Sequence, residues 1–275
     1  MKVLVSVRGK VVELQDKLFE ILRDSEVGTT NWLLANAVLR HGNQLSAIPI
    51  QELAESCHVS EPTVSRFSKL LGFRSYIDLK KEAKKLGDQS DLHLFHMNKP
   101  SLALLKDRPQ QFLESYCQQI SENLLHAASS LDFNKIDAFL AELHQTKRVF
   151  IFGTSTSLML AEILQSNLAN YKKIVYAGFN QDQQLNHAQN LTKSDLSITI
   201  STYGNFLHQY PATAKMIADS ECRNILITQN AGLQETYMFD DVIFLSNKNS
   251  TETGTYSMLL GIEYLVRRYA VLFKV

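Results

Sequence analysis

The chain of 275 residues is 45% hydrophobic and 20% charged, a composition that is typical of folded globular proteins and excludes an intrinsically disordered chain. Its longest apolar runs, such as Val149–Phe152, are too short to cross a bilayer, and Met1–Lys10 lacks the apolar core of a secretion signal. Three distant cysteines and eight scattered histidines fit neither a disulfide framework nor a metal site, so we expect a cytoplasmic protein without metal or cofactor.

The formal net charge of zero conceals an uneven distribution. Residues 1–87 contain 13 Lys and Arg against 10 Asp and Glu, a net charge of +3, whereas residues 88–275 contain 15 against 18, a net charge of −3. Within Arg66–Lys85, seven residues are basic and two are acidic. Such a local excess attracts nucleic-acid phosphates, but a solvated helix face has the same pattern, so the charge alone leaves both interpretations open.

Apolar residues at helical spacing, such as Leu14 and Leu18, predict short helices in the first part of the chain. The stretch that follows is polar and contains Pro100, which is typical of a linker. We therefore predict an α-helical domain at 1–86 and a linker at 87–108.

Residues 109–275 begin with two helical patterns and then alternate apolar bursts with helical stretches, up to a last amphipathic helix over Thr253–Phe273. This alternation predicts βα units, and hence an α/β domain with a five-stranded parallel sheet flanked by helices. The candidate strands are Arg148–Phe152, Lys173–Tyr176, Leu196–Ile200, Asn224–Thr228 and Asp241–Leu245.

The window Ile50–Phe73 has the pattern of a helix-turn-helix. One short helix ends near Ser56, a tight turn follows, and Ser60 offers a capping hydroxyl to the second helix. Gly72 is placed to end that helix, because glycine adopts the left-handed conformation without steric cost.

The outer side of the second helix is polar, and two such helices fit a DNA major groove. An ordinary helical hairpin with a solvated outer face is the alternative. We predict that residues of this helix reach base edges or phosphates, and that the positions just after it contact the backbone. The predicted DNA-binding residues are Ser60, Thr63, Ser65, Arg66, Lys69, Arg74, Ser75 and Tyr76.

Two polar turns, 153–157 and 201–205, follow predicted strands in the α/β domain. Turns of this kind before a helix N-terminus cradle anions, and open α/β sheets bind ligands at the carboxyl ends of their strands. The alternative is that these hydroxyls merely cap helices. Pro211 indicates a delayed helix start and thus a longer second loop, 201–210. The predicted ligand-binding residues in these turns are Gly153, Thr154, Ser155, Ser157, Ser201, Thr202, Gly204 and Asn205.

The segment 60–86 resembles the helix-turn-helix signature of the RpiR family of bacterial sugar-metabolism regulators. The positions that carry the resemblance are Ser60, Thr63, Val64, Ser65, Arg66, Phe67, Leu71, Gly72, Phe73, Tyr76, Leu79 and Lys80. The resemblance continues more weakly through the C-terminal domain. It implies a sugar-isomerase-type (SIS) phosphosugar-binding domain and assembly as a homodimer or homotetramer.

The chain departs from the family pattern in both ligand loops. Ser155 replaces a glycine of the first loop, and Tyr203 and Phe206 replace hydroxyl residues of the second. Each lost hydrogen bond to a phosphate is worth about 1.5–3 kcal/mol, so these changes favour an atypical ligand or none. Glu252 lies where isomerases of this fold carry a catalytic glutamate, but we interpret it as a ligand-contacting or helix-capping residue.

These observations predict a sequence-specific transcription regulator that binds a double-stranded DNA operator. Its SIS-type domain would sense a phosphorylated sugar or related metabolite and thereby control carbohydrate-metabolism genes. Two alternatives stay open. The first is a sugar-phosphate isomerase, with His187 or His208 assisting Glu252. The second is a ligand-independent regulator whose SIS domain serves only as an oligomerisation scaffold.

Overall fold

The computed structural model describes residues 14–84, 86, 97–154, 156–248 and 253–273. It divides into two compact units, Met1–Asn98 and Lys99–Val275. In the described parts of both units, no helix is both long and apolar enough to cross a membrane.

The first unit is helical, as predicted. Its first helix, α1, runs through residues 14–24. The elements that follow are α2 (Thr30–His41), a 3₁₀ helix (Gly42–Ala47), α3 (Ile50–Ser56), α4 (Glu61–Leu70) and α5 (Tyr76–Ala83). One apolar core joins them, in which Leu18, Leu34, Leu53, Val64 and Leu79 are fully buried.

Helices α3 and α4 both end in a Schellman motif, in which a residue in the left-handed conformation reverses the chain. At the end of α3 this residue is His58, with φ of 53°, and Val59 N–H donates to the Ala54 carbonyl at 2.9 Å. At the end of α4 it is Gly72, with φ of 90°, which confirms the predicted stop. The sharp turn between α3 and α4 therefore depends on a non-glycine residue in a strained conformation.

The second unit is α/β. It opens with the helices α6 (Lys99–Asp107), α7 (Pro109–Ser130) and α8 (Phe133–Gln145). The remaining elements are β1 (Val149–Gly153), α9 (Thr156–Ala169), β2 (Tyr176–Ala177), α10 (Gln181–Gln189), β3 (Leu196–Ile200), α11 (Phe206–Gln209), α12 (Pro211–Asp219), β4 (Arg223–Thr228), a 3₁₀ helix (Gln234–Met238), β5 (Asp241–Phe244) and α13 (Tyr256–Leu272).

Within the described residues the strands form a five-stranded sheet of order β2-β1-β3-β4-β5, and every pairing is parallel. One face is covered by α8, α9 and α13, whose Leu140, Leu164 and Leu265 are buried against Ile198 and Ile227 of the sheet. A smaller apolar cluster on the other side unites residues of β1 with residues of α10, α11 and α12. The sheet is thus sandwiched between helices, which confirms the predicted fold class.

Two predicted elements differ from the structure. The strand expected at Lys173–Tyr176 is a two-residue strand, Tyr176–Ala177. The chain at its start is still closing α9: Lys172 is in the left-handed conformation, with φ of 58°, and Lys173 N–H donates to the Leu168 carbonyl at 3.1 Å. The last part of the expected linker, Lys99–Asp107, is helix α6, since its proline lies in the first turn, where a missing N–H costs little.

Other parts of the expected linker, residues 87–96, lie outside the described residues. The domain boundaries at 86 and 109 therefore stay a prediction. The helix after the second loop begins at Pro211, as expected, but one helical turn, α11, precedes it within the loop.

Replacing His58 by glycine is expected to raise the unfolding free energy of the first unit by about 1 kcal/mol, because glycine adopts the left-handed conformation without the clash of a Cβ. Trp32, the single tryptophan of the chain, lies in α2 of this unit, so its fluorescence reports urea unfolding there. His58→Ala is the control, because it removes the imidazole but keeps the Cβ. A stabilisation by both variants, or by neither, contradicts the argument.

Candidate functional site

The second helix of the helix-turn-helix, α4, has one buried side and one polar side. Val64 and Phe67 pack into the core of the first unit, with 0% and 2% of their surface exposed. Arg66 and Lys69 are exposed on the opposite side, and Ser65 is half-buried. The side chains predicted to read DNA therefore lie on a common polar surface of this helix.

The polar groups at the start of α4 are already bonded to one another. The hydroxyls of Ser60 and Thr63 lie 2.9 Å apart, and Arg66 Nη2 donates to the Thr63 hydroxyl at 3.2 Å. Ser60 precedes α4, but its side chain makes no capping bond to the backbone, so the predicted capping role of its hydroxyl is wrong. The Thr63 hydroxyl is bonded to both side chains, and it holds the Arg66 guanidinium close to the start of the helix.

The predicted backbone-contacting positions fall into three different environments. Arg74 extends into solvent, with 93% of its side chain exposed, and pairs with Asp78 at 3.1 Å. Ser75 caps α5, since its hydroxyl accepts the Asp78 N–H at 3.3 Å. The prediction that Tyr76 contacts DNA is wrong, because its ring is buried in the core. Its hydroxyl donates to the Ile48 carbonyl at 3.1 Å, and burial raises its pKa to about 12. An aromatic ring in the first turn of a short helix contributes more by packing than by exposure.

In the second unit, the two predicted ligand loops follow two neighbouring strands of the sheet. The order of the strands reverses between β1 and β3, which lie side by side in the sheet. A crevice opens outside the carboxyl ends of the strands at such a switch point, and sheets of this strand order bind their ligands there. Loop 153–157 follows β1 and loop 201–205 follows β3, so they border this crevice from its two sides.

A direct contact joins the two loops. The hydroxyls of Ser157 and Thr202 lie 3.1 Å apart, and Ser157 Oγ also accepts the Thr202 N–H at 3.2 Å. Ser157 belongs to the first turn of α9, where backbone N–H groups lack acceptors within the helix and favour an anion. Both side chains are buried, at 4% and 2% exposure. The structure thus brings together two hydroxyls that are 45 residues apart in the chain.

The other predicted ligand residues are mostly held in place by the backbone of their own loops. The carbonyl of Thr154 accepts the Ser157 N–H at 3.0 Å, and Gly204 N–H donates to the Ser201 carbonyl at 3.2 Å. Ser201 Oγ accepts the Phe206 N–H at 3.1 Å, and Asn205 is exposed. Ser155 and Glu252 lie outside the described residues.

The two aromatic residues that replace hydroxyl residues in the second loop, Tyr203 and Phe206, lie in different environments. Phe206 is 1% exposed and packs in the apolar cluster with Phe152 and Tyr210, so it fills the core and not the ligand loop. Tyr203 is half-buried; burial, followed by the nearby Tyr116, raises its pKa. The Tyr203 phenol therefore stays protonated near neutral pH and remains a hydrogen-bond donor.

Two amide side chains form hydrogen bonds to the backbone of the loops, and the sequence analysis did not identify either of them. Gln184 of α10 bonds both backbone groups of Gly153, and Asn230 donates to the Tyr203 carbonyl at 3.0 Å. Asn230 follows β4 almost directly, so the rule that polar residues gather at strand carboxyl ends would have found it. Gln184 lies inside a helix, and no pattern in the sequence marks it.

The two histidines considered for catalysis lie in separate environments. The His187 ring packs 5.4 Å from that of Phe150, in the first half of β1, and burial lowers its pKa. The His208 side chain is half exposed, and its Nε2 lies 3.7 Å from Oε1 of Glu235. Among the described residues, no group of three His, Cys, Asp or Glu side chains is arranged to hold a metal ion.

Comparisons with known proteins give a consistent answer for both units. Residues 22–87 match the helix-turn-helix domain of the RpiR family. An uncharacterized HTH-type transcriptional regulator of Providencia stuartii is 26% identical over 226 residues, which cover 78% of this chain and 77% of that protein.

Two solved structures are similar to the chain. The NanR protein of Vibrio vulnificus, complexed with ManNAc-6P, has a TM-score of 0.52 and 14% identity, and covers 95% of this chain and 92% of its own. The sugar isomerase domain of an RpiR transcription factor from Sphaerobacter thermophilus has a TM-score of 0.53 and 17% identity, and covers 60% of this chain and 93% of its own. These findings confirm three predictions: an RpiR-type helix-turn-helix domain in the first unit, the class of transcription regulators, and the fold of a sugar isomerase domain in the second unit.

Arg66→Ala is expected to raise the Kd for a specific duplex about 5- to 150-fold, since a good arginine contact to a base is worth about 1–3 kcal/mol. The duplex is first selected from a random-sequence pool with the native chain, and Kd is then measured by fluorescence anisotropy. The melting temperature should not change, because the side chain is exposed. Arg40→Ala removes the same charge from an exposed site on α2 and serves as the control. Equal affinities of the two variants would remove Arg66 from the DNA surface.

Proposed function

We propose that this chain, an RpiR-family helix-turn-helix regulator whose second unit has the sugar-isomerase-type fold, binds its DNA operator under the control of a phosphorylated sugar or related metabolite. The observation that carries the proposal is the contact of Ser157 with Thr202 across the switch-point crevice. It places hydroxyl donors from two loops, together with a helix N-terminus, where a phosphate group can receive them all.

The proposed phosphate site is built from neutral groups. Neither loop 153–157 nor loop 201–205 contains a charged residue. A phosphate is then held by hydroxyl and backbone N–H donors and by the dipole of α9, whose 14 residues give it a full-length dipole. The hydroxyls of Ser157 and Thr202 are bonded to each other, and rotation about their C–O bonds redirects their hydrogens to a ligand. These buried hydroxyls thus have hydrogen-bond partners within the protein.

The known relatives support the chemistry of the ligand. NanR, which is similar over almost the whole chain, is complexed with ManNAc-6P, an amino-sugar phosphate. Tyr203 supplies a phenol in place of a small hydroxyl residue, and its carbonyl is held by Asn230. We therefore place a sugar phosphate, or a relative with a larger group beside the sugar, in the crevice.

An isomerase function has less support. The curated relative from Providencia stuartii is named a transcriptional regulator, and α4 presents a polar surface that an isomerase does not need. His187 packs along the first half of β1, away from the loops at the carboxyl end of that strand. We infer that the chain is not an enzyme and acts in the cytoplasm, where operators are found.

The assembly is proposed on the geometry of DNA. A single helix-turn-helix reads one half-site, and two half-sites about one helical turn apart need two copies. We infer a homodimer or homotetramer, in which the ligand shifts the placement of the DNA-binding modules between two states. Carbohydrate-metabolism genes are the proposed targets.

Calorimetric melting of the full chain against hexose 6-phosphates, amino-sugar 6-phosphates and their unphosphorylated parents tests the sensor. A ligand at a hundred times its Kd should add about 2.7 kcal/mol of stability, and only phosphorylated compounds are expected to do so. A panel without any shift supports the alternative in which the domain is only an oligomerisation scaffold. Turnover of any compound to its isomer supports the isomerase instead.

Ser157→Ala is expected to raise the Kd by about 10- to 150-fold for the compound that shifts the melting temperature of the native chain. The reason is that a hydrogen bond to a charged group is worth about 1.5–3 kcal/mol. Titration calorimetry measures this change. Ser194→Ala is the control, since Ser194 is an exposed serine just before β3, at the opposite end of that strand. If both variants bind like the native chain, the phosphate does not lie in the crevice.

A further inference from the structure

The strand β1 ends with an unusual pairing at its last residue. Gly153 pairs with Ile200 of β3 on one side, but β2 reaches only Phe150 and Ile151 on the other. The backbone of Gly153 therefore has no neighbouring strand on the β2 side. Buried backbone groups in this position need other partners.

Gln184 takes the place of the missing strand. Its Oε1 accepts the Gly153 N–H at 3.1 Å, and its Nε2 donates to the Gly153 carbonyl at 2.8 Å. The side chain is fully buried, with 0% exposure. A single amide thus reproduces both bonds that a neighbouring strand would make, at the residue where β1 enters the first ligand loop.

The position of Gln184 is itself fixed by the start of α10. Asn180 caps this helix by accepting the Gln183 N–H at 2.8 Å, and Gln183 Oε1 accepts the Phe179 N–H at 2.9 Å. A Cβ on Gly178 would lie 2.8 Å from both Cγ and N of Gln184, so only glycine allows the helix to approach this closely. The contacts at the start of α10 therefore fix the backbone of Gln184, from which its amide reaches Gly153.

Gly153 has little room to move once it is held. A Cβ on this residue would lie 3.1 Å from the Ile200 carbonyl oxygen and 3.3 Å from Ser157 Cβ. Its backbone lies between the end of β3 and the first turn of α9, next to the Ser157 hydroxyl. A change in the orientation of the Gly153 peptide is thus transmitted directly to Ser157.

We propose that Gln184 is a positioning residue of the ligand site, which sets the peptide of Gly153 and thereby the position of the Ser157 hydroxyl that receives the phosphate. The inference rests on the proposed function of loop 153–157. Gln184 acts through Gly153. Its replacement should therefore weaken anion binding more than a substitution elsewhere that destabilises the unit to the same extent.

The test compares two full-length variants that each remove buried hydrogen bonding. Gln184→Met keeps the length of the side chain without its amide. Tyr269→Phe removes the bond between the Tyr269 hydroxyl and His144 Nδ1, 2.9 Å long, on the helices that cover the other face of the sheet. The probe is inorganic phosphate, followed by ³¹P NMR. The Kd should rise at least about tenfold for Gln184→Met and stay within about twofold for Tyr269→Phe. Equal effects of the two variants overturn the inference.

Gln184→Glu supplies a readout that a purely structural role would not move. A protonated carboxyl can both accept the Gly153 N–H and donate to its carbonyl, whereas a carboxylate cannot donate, and burial raises the pKa of such a group. This variant should bind phosphate like the native chain at pH 5.5 and like Gln184→Met at pH 8.5, each compared with the native chain at the same pH. The same ratio at both values contradicts the role.

Hydrogen exchange separates this inference from the proposed function. If the native chain binds no phosphate, the proposed sensor fails, and the amide N–H groups at 153–157 still report the position of the loop. Exchange there should be faster in Gln184→Met than in Tyr269→Phe. Equal exchange in both variants shows that Gln184 does not position the loop.

Discussion

The reversal of strand order between β1 and β3 is the constraint on which the second unit depends. Parallel strands end at the same edge of a sheet, and the connections that leave two adjacent strands in opposite directions open a crevice between them. Loops at 153–157 and 201–205 occupy the sides of that crevice, and the bond between Ser157 and Thr202 spans it. The position of the candidate site thus follows from topology, before any side chain is considered.

The chemistry of the site follows from its lack of charge. A cluster of cationic side chains at a buried site would need paired acids or a permanent ligand to offset its desolvation. Hydroxyls and backbone N–H groups can bond to one another, as those of Ser157 and Thr202 do, and they can also donate to an anionic ligand. This property suits the proposed sensor, because the site then needs no buried charge. The amides of Gln184 and Asn230 add rigidity around the hydroxyls without adding charge.

In the first unit, a small apolar core anchors α4 and leaves its polar side exposed. Left-handed residues end α3 and α4 abruptly, so two short helices can cross at a fixed angle. The buried side of α4 anchors it through Val64 and Phe67, while Arg66 and Lys69 stay exposed. Tyr76 belongs to the anchor and not to the surface, because its hydroxyl is bonded to the Ile48 carbonyl.

The sequence by itself determined the order of the elements, the helix-turn-helix and the two polar turns after β1 and β3. These features are local: apolar periodicity, a glycine at a helix end and hydroxyls after a strand are readable within a few residues. It also indicated the polar surface of α4 that is predicted to bind DNA, but not the burial of Tyr76. The prediction was wrong where a local pattern has two uses, as for the proline in the first turn of α6 and the apolar stretch around Lys173.

Only the tertiary structure decided which polar groups meet. Ser157 and Thr202 are 45 residues apart, and Gln184 is 31 residues from the glycine it holds, so no spacing rule connects them. The structure likewise places Phe206 in the core, although the sequence indicated only that it replaces a phosphate-binding hydroxyl in the second loop. The physical reason is that hydrogen bonds act over about 3 Å in space, whatever the separation along the chain, and the packing of helices on a sheet sets those distances.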